Sequence, residues 1–141
     1  VEKQTKNTKE IFQFFLFYKH IKKIYYPFDK NSKQFELAKK QMIDGGTVIS
    51  FELNSKKKDD KKVSFKFLNN LSLIDISNNL GDSKTLITHP YTTTHHRLSE
   101  SDKKKLKITK NLIRLSVGLE EVGDIINDID LALKKTFKND K

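Results

Sequence analysis

At 141 residues the chain has room for one ordinary domain and no second core. Its 35% hydrophobic and 33% charged residues are polar for a compact domain, yet the apolar ones arrive in periodic blocks, which excludes global disorder. The formal net charge of +10 raises nucleic acid or an anionic membrane surface as a partner, but all but two of the 28 basic residues are lysines. They lie in runs such as Lys56 to Lys58, Lys61 to Lys62 and Lys103 to Lys105, broken by Asp59, Asp60 and Asp102, as solvated loops and helix ends do. Arginine forks and aromatic platforms, the devices of specific nucleic-acid readers, are not organised here, so the expectation is no nucleic-acid partner; a basic nucleic-acid-binding domain is the second alternative reading.

No cysteine is present, which excludes disulfides and thiolate zinc sites. The longest strongly apolar stretch, Ile11 to Tyr18, is too short to span a bilayer and has no small-residue cleavage site after it, so neither a membrane span nor a signal peptide is expected. The chain opens on Val1 rather than Met, from which we expect further sequence upstream.

In chain order, Ile11, Phe14, Phe15 and Tyr18 have helical spacing and predict an amphipathic helix from about Thr5 to His20, whose apolar face is expected to pack against sequence outside this chain. Ile21 to Tyr26 reads as a short strand stopped by Pro27. Ser32 to Met42 is a second helix with Ser32 as its N-cap. Gly45 and Gly46 end it and allow a positive φ before the strand Thr47 to Leu53. After the hydrophilic loop Asn54 to Lys62, Val63 to Leu71 suits a helix and Leu73 to Ile76 a strand. Ser77 to His96 reads as an ordered loop with a short strand near Leu86 and Ile87. Ser99 to Lys105 is a helix with Ser99 as N-cap and Asp102 three residues on. Leu112 to Val117 is a strand closed by Gly118, and Val122 to Phe137 a terminal helix with Val122, Ile125, Ile126, Ile129 and Leu133 on one face. Together these predict an α+β domain with one sheet of four or five short strands and helices chiefly on one face.

Several chemistries are unsupported. His89, His95 and His96 have no carboxylate at metal-ligand spacing, so no metal site is expected. Asp124 and Asp128 form an i, i+4 pair at the head of the last helix and read as structural. There is no phosphate-binding glycine loop and no G-x-S-x-G elbow.

Arg114 stands apart, because in a lysine-rich chain it occupies the middle of the apolar strand LIRLSVG, where a charged head is costly unless paired. It is either a structural salt bridge or edge-strand residue, or a planar fork that grips a carboxylate or phosphate bidentately. The segment SNNLGDSKTLITHPYTTTH, Ser77 to His95, adds many side-chain oxygens and amides, with Gly81 allowing close backbone approach and His89-Pro90 fixing the chain direction. The pair points to an amino-acid-like anion as ligand.

The strings RLSVGLEEVGDIINDIDLAL (Arg114 to Leu133), NNLGDSKTLITHPYTTTH and AKKQMIDGGTVISFEL resemble, in order from about residue 5 to residue 135, the C-terminal portion of the Cys/Met-metabolism enzymes that use pyridoxal phosphate (PLP). That family includes cystathionine γ-synthase, cystathionine lyases, methionine γ-lyase and the homoserine-ester sulfhydrylases. ISNNLGDSKTLITHP followed by TTTHHRL looks most like the O-succinylhomoserine and O-acetylhomoserine sulfhydrylases, which replace the ester of an activated homoserine by sulfide and make homocysteine for methionine synthesis.

The resemblance implies the small C-terminal domain of a fold-type I PLP enzyme over residues 1–141, mostly antiparallel in its sheet, with the large cofactor-binding domain outside the chain. It implies that Arg114 holds the substrate α-carboxylate and that the turn Asn79, Leu80 and Gly81 adds donors to it. PLP would be the cofactor of the complete, homo-oligomeric, cytoplasmic enzyme, a transferase or lyase of transsulfuration acting on an amino-acid-derived small molecule. The sequence departs from the family at Asn79, where relatives often carry Ser, at Lys84, where many carry Glu, and at Tyr91, where a small residue is usual. The family's Schiff-base lysine belongs to a Ser-x-Thr-Lys string; Lys110 follows Thr109 without the Ser, beside a helix end where exposure is expected, so this chain is expected to hold no catalytic or cofactor-binding residue. The alternative is a non-catalytic remnant or subunit-interaction domain of the same family.

Overall fold

In VISFEL and LIRLS every second side chain is large and apolar, so a strand built from either must bury one face and leave the other polar. A computed structural model, which describes residues 2–55, 61–77, 80, 82–93, 95 and 97–138, places these segments side by side as β2 (Val48–Leu53) and β5 (Leu112–Ser116). Their register sets Ile49 against Leu115 and Phe51 against Ile113, and all four are fully buried. β1 (Ile21–Tyr25) flanks β2, while β4 (Leu86–Thr88) and β3 (Asp75–Ile76) flank β5, giving a five-stranded sheet in the order β1-β2-β5-β4-β3. Every pairing is antiparallel except β3 with β4.

The apolar face is covered by three helices, α1 (Glu2–Leu16), α3 (Lys61–Asn69) and α5 (Val122–Phe137). α5 supplies Ile125, Ile129, Ala132, Leu133 and Phe137 to the core, with Val122 and Ile126 packed at its edge. α3 supplies Phe67 and Leu68. The remaining helices, α2 (Phe35–Gln41) and α4 (Glu100–Lys105), are short and lie in the connections. No helix among the described residues is long and apolar enough to cross a membrane.

The predicted α+β architecture is the observed one, and the differences have specific physical causes. α1 starts earlier than its apolar periodicity does, because Gln4, Asn7 and Thr8 are buried as well: Gln4 Nε2 donates to the carbonyls of Asp82 and Val117, and Asn7 Nδ2 to those of Gly118 and Glu120. The expectation that α1 offers its apolar face to sequence outside the chain is overturned. Ile11, Phe12 and Phe15 lie in this domain's own core, Phe15 with its ring 4.5 Å from that of Phe51, while Phe17, just past the helix, is the residue left 91% exposed. Ser32 does not cap α2. Turns centred on Asp29 and Ser32 delay the helix, so Ser32 Oγ accepts from the Gln34 N–H instead. Ser99 caps α4 as predicted, accepting from the Asp102 N–H at 3.1 Å.

β3 is shorter than the apolar run Leu73 to Ile76 because a side chain takes the donors the strand would need. The Asp128 carboxylate on α5 accepts from the backbone N–H groups of Ser72, Leu73 and Ile74 at 2.8, 2.9 and 3.0 Å. Its role is structural, as predicted, but it anchors a loop rather than serving the helix dipole; the exposed Asp124 is the carboxylate in the first turn. Gly46 has φ 83°, as expected of the turn into β2. A Cβ on Gly118 would lie 2.5 Å from the Ser83 carbonyl oxygen, so the chain leaving β5 passes directly against the loop leading to β4.

Burial of Phe15 and exposure of Phe17 make opposite forecasts for two neighbouring phenylalanines. Phe15→Ala should lower unfolding free energy by ~3–5 kcal/mol, from lost transfer energy and a cavity, while Phe17→Ala should change it by less than ~0.5 kcal/mol. Urea denaturation of both variants checks this, and equal effects would place α1 differently.

Candidate functional site

The face of the sheet turned away from the three core helices carries the polar half of each alternating strand. Arg114 lies at its centre, on the middle strand, with Ser50 of β2 directly across on one side and Thr88 of β4 on the other. Cross-strand neighbours in this relation have Cβ atoms about 4.5–5.5 Å apart, so hydroxyls rather than carboxylates occupy the positions nearest the guanidinium stem. Arg114 is half-buried, and burial pushes its guanidinium below the usual range, though arginine keeps its charge at any ordinary pH. Tyr25, paired with Ser50, extends the row onto β1.

The nearest acid in that row on β2 is Glu52, buried to 8% exposure. Its charge is met by hydroxyl donors: Tyr25 OH donates to Oε2 at 3.1 Å and Thr109 Oγ1 to Oε1 at 2.8 Å. Burial, followed by the Glu52 charge and that hydrogen bond, raises the Tyr25 phenol to about 12. Glu52 lines a cleft of about 670 Å³ together with Lys22, Tyr91, Lys103, Ile108 and Thr109. Arg114 does not line it, so this cleft and the candidate carboxylate clamp are separate features.

The loop after β4 covers Thr88. His89 is buried, with Nδ1 2.8 Å from Thr92 Oγ1 and Nε2 2.7 Å from the carbonyl oxygen of Lys110. A carbonyl only accepts, so Nε2 carries the proton and Nδ1 accepts from Thr92. Both ring nitrogens are thereby committed to the fold, and no cluster of metal-ligating side chains occurs among the described residues. Lys110 is half-buried rather than exposed as expected; its carbonyl also accepts from Ser64 Oγ at 2.6 Å. Tyr91 OH donates to Glu100 at 2.5 and 2.6 Å, and Lys103 Nζ sits 3.9 Å from the centre of its ring.

Of the turn expected to assist Arg114, Leu80 is 54% exposed, while Asn79 and Gly81 fall outside the described residues. The loop is pinned just beyond them. Glu120 accepts from Thr85 N–H and from Thr85 Oγ1 at 2.8 Å, and Gln4 holds the Asp82 carbonyl at 2.9 Å. Lys84 is ion-paired with Asp75 at 2.6 Å, both side chains half exposed. Ser50, Thr88 and Glu52 escaped the sequence reading as site residues. The alternation of VISFEL, which sends Ser50 and Glu52 to one face and Ile49, Phe51 and Leu53 to the other, was the signal that could have found two of them.

A chain with this sheet, and an arginine at the centre of its polar face, matches a known family model. Residues 1–134 fit the model described as Cys/Met metabolism PLP-dependent enzyme. The chain belongs to that family. It is 39% identical over 133 residues to an O-succinylhomoserine sulfhydrylase of Mycobacterium tuberculosis, which covers 94% of this chain and 33% of that protein. It is 41% identical over 135 residues to an L-methionine gamma-lyase of Fusobacterium nucleatum, covering 96% and 33% respectively. A crystal structure from Campylobacter jejuni, assigned as an O-acetylhomoserine (thiol)-lyase and holding N'-pyridoxyl-lysine-5'-monophosphate, superposes with a TM-score of 0.87 at 34% identity, over 95% of this chain and 31% of that one. The chain thus spans about a third of the length of the relatives it matches.

The family's cofactor is pyridoxal phosphate. The described residues do not fit that group: the one buried lysine among them, Lys103, is already engaged by the Tyr91 ring and lies 3.9 Å from Glu100.

The Tyr25–Glu52 contact has a consequence for pH. The folded chain keeps the Tyr25 proton to about 12, whereas the unfolded chain releases it near 10. Its stabilising contribution is therefore fully present below pH 10 and is lost as pH rises from 10 to about 12. A phenolate-absorbance titration of the folded protein should show that Tyr25→Phe removes a group titrating near 12; removal of one titrating near 10 would contradict the Glu52 contact.

Proposed function

We propose that the chain is the C-terminal, substrate-orienting domain of a PLP-dependent enzyme that makes homocysteine from an O-acylhomoserine and sulfide, a cytoplasmic step of methionine biosynthesis. The observation that carries this reading is Arg114, a half-buried guanidinium at the centre of the sheet's polar face, with hydroxyls at both cross-strand positions. A planar fork so placed grips a carboxylate through two parallel, charge-assisted hydrogen bonds. Every amino-acid substrate of the named relatives has an α-carboxylate to offer.

In this reading the cofactor is bound by a large domain outside these 141 residues, and the complete enzyme is a homo-oligomer. When bound there, PLP supplies the electron sink that stabilises negative charge at the substrate carbon. The present chain orients the substrate: Arg114 fixes the carboxylate, and the turn Asn79, Leu80 and Gly81 adds donors to it. The strings around Ile76 to Pro90 and Thr92 to Leu98 support the sulfhydrylase branch, to which one relative 39% identical over 94% of the chain belongs, beside a methionine gamma-lyase at 41%.

In the complete enzyme, Arg114→Lys keeps the charge but loses the fork. It should raise KM for the O-acylhomoserine roughly 10- to 100-fold, the loss of one to two charge-assisted hydrogen bonds, and leave KM for sulfide within about twofold. Steady-state kinetics with each substrate varied in turn checks this. An unchanged KM for the ester would overturn the assignment of Arg114.

A further inference from the structure

The cleft that Glu52 lines is walled by two buried groups of opposite charge that do not meet. Lys103 of α4 is 5% exposed, an unusual setting for an ammonium, and its Nζ sits 3.9 Å from the centre of the Tyr91 ring. The ring face attracts the charge but offers no oxygen to its N–H groups. Among the described residues the one oxygen paired with it is Glu100 Oε1, at 3.9 Å and beyond hydrogen-bond reach, and that carboxylate is largely solvated and takes the Tyr91 hydroxyl instead. The donors of a buried ammonium are thus left without an acceptor among the described residues.

Glu52 is the counterpart on β2, 8% exposed. Tyr25 and Thr109 each donate one hydrogen bond to it, one on each oxygen, out of the roughly four that a carboxylate can accept. Both donors are neutral, so they orient the carboxylate without matching its charge, and among the described residues it forms no ion pair. Each charge is held on its own element. Lys103 donates its backbone N–H to the Ser99 carbonyl at 3.0 Å and accepts from the Ile108 N–H at 2.8 Å, while Glu52 is fixed by its register with Leu112. A buried charge without a partner is costly, and neither element can bring its own to the other.

We infer that this cleft binds a small zwitterion, an α-amino acid whose carboxylate meets Lys103 and whose ammonium meets Glu52, at a site separate from Arg114. A simple anion would suit Lys103 but be repelled by Glu52, and a simple cation the reverse; one ligand with both charges relieves both. Ile108 and the Tyr91 ring give the cleft an apolar wall for a side chain. Its volume of about 670 Å³ falls within the ~300–1,000 Å³ of small-molecule sites.

Amide NMR titration of the 141-residue chain tests this with matched probes: L-norleucine, hexanoate, which is the same skeleton without the ammonium, and pentylamine, which is the same without the carboxylate. Norleucine should shift the amides of Glu52, Lys103 and Thr109 saturably with a Kd of about 1 mM or tighter, and each half should bind at least about tenfold more weakly. Lys103→Met keeps the apolar stem beside the Tyr91 ring, and Glu52→Gln keeps an acceptor for Tyr25 and Thr109; each should weaken norleucine at least about tenfold. The comparison of probes on the parent chain decides the matter even where a variant does not fold. Arg114→Lys should leave the Kd within about twofold, which separates this cleft from the clamp. Failure of norleucine to saturate by ~10 mM, or hexanoate or pentylamine binding as tightly, would overturn the inference. So would loss of the shifts in Arg114→Lys but not in Lys103→Met, since norleucine would then be held at the clamp.

Discussion

A cation in the middle strand of a sheet can exist only if the two faces of that sheet are made unlike, and this constraint organises the molecule. The strict alternation in β2 and β5 sends Ile49, Phe51, Ile113 and Leu115 to a dry face roofed by α1, α3 and α5, and Ser50, Glu52 and Arg114 to the opposite one. A slip of one residue in the pairing would drive the guanidinium into the helices and the isoleucines into the polar face. The apolar packing and the placement of Arg114 are therefore one fact seen from two sides.

Around that face, charge and polarity are satisfied locally, by groups drawn from distant parts of the chain. Glu52 accepts hydrogen bonds from hydroxyls of β1 and of the segment leading into β5, and among the described residues it forms no ion pair with a lysine. Asp128 reaches from α5 to hold three successive backbone N–H groups before β3, and Glu120 holds Thr85 before β4. Each carboxylate closes off a loop end that would otherwise leave buried donors unmet. The two short strands on that side of the sheet hold their register through these anchors more than through their own length. In the function proposed above, an arginine beside pinned loops orients a substrate whose chemistry is carried out elsewhere.

Much of this was legible in the residues. The last helix was read to its true ends, Val122 to Phe137, because five apolar positions share one face, and α4 was placed by its Ser99 cap. Arg114 was picked out by its cost, since nothing else in LIRLSVG is charged. What failed were readings that depended on partners that periodicity and capping signals do not reveal. Ser32 has the chemistry of a cap but is spent inside a turn, and Asp128 resembles a dipole partner until Ser72, Leu73 and Ile74 are seen against it. The outward-facing role expected for α1 was lost for the same reason: periodicity shows that a helix has an apolar face but not which surface receives it, and here Phe51 and its neighbours do. Ser50 and Thr88 were invisible as site residues because only the strand register places them beside Arg114.

The most direct test of Arg114 as a carboxylate clamp is a crystal structure of the complete enzyme with an unreactive amino-acid ligand. The carboxylate should lie within hydrogen-bonding distance of two guanidinium nitrogens of Arg114, on the polar face between Ser50 and Thr88. A ligand carboxylate bound away from that face, with the Arg114 guanidinium turned onto a protein carboxylate, would contradict it.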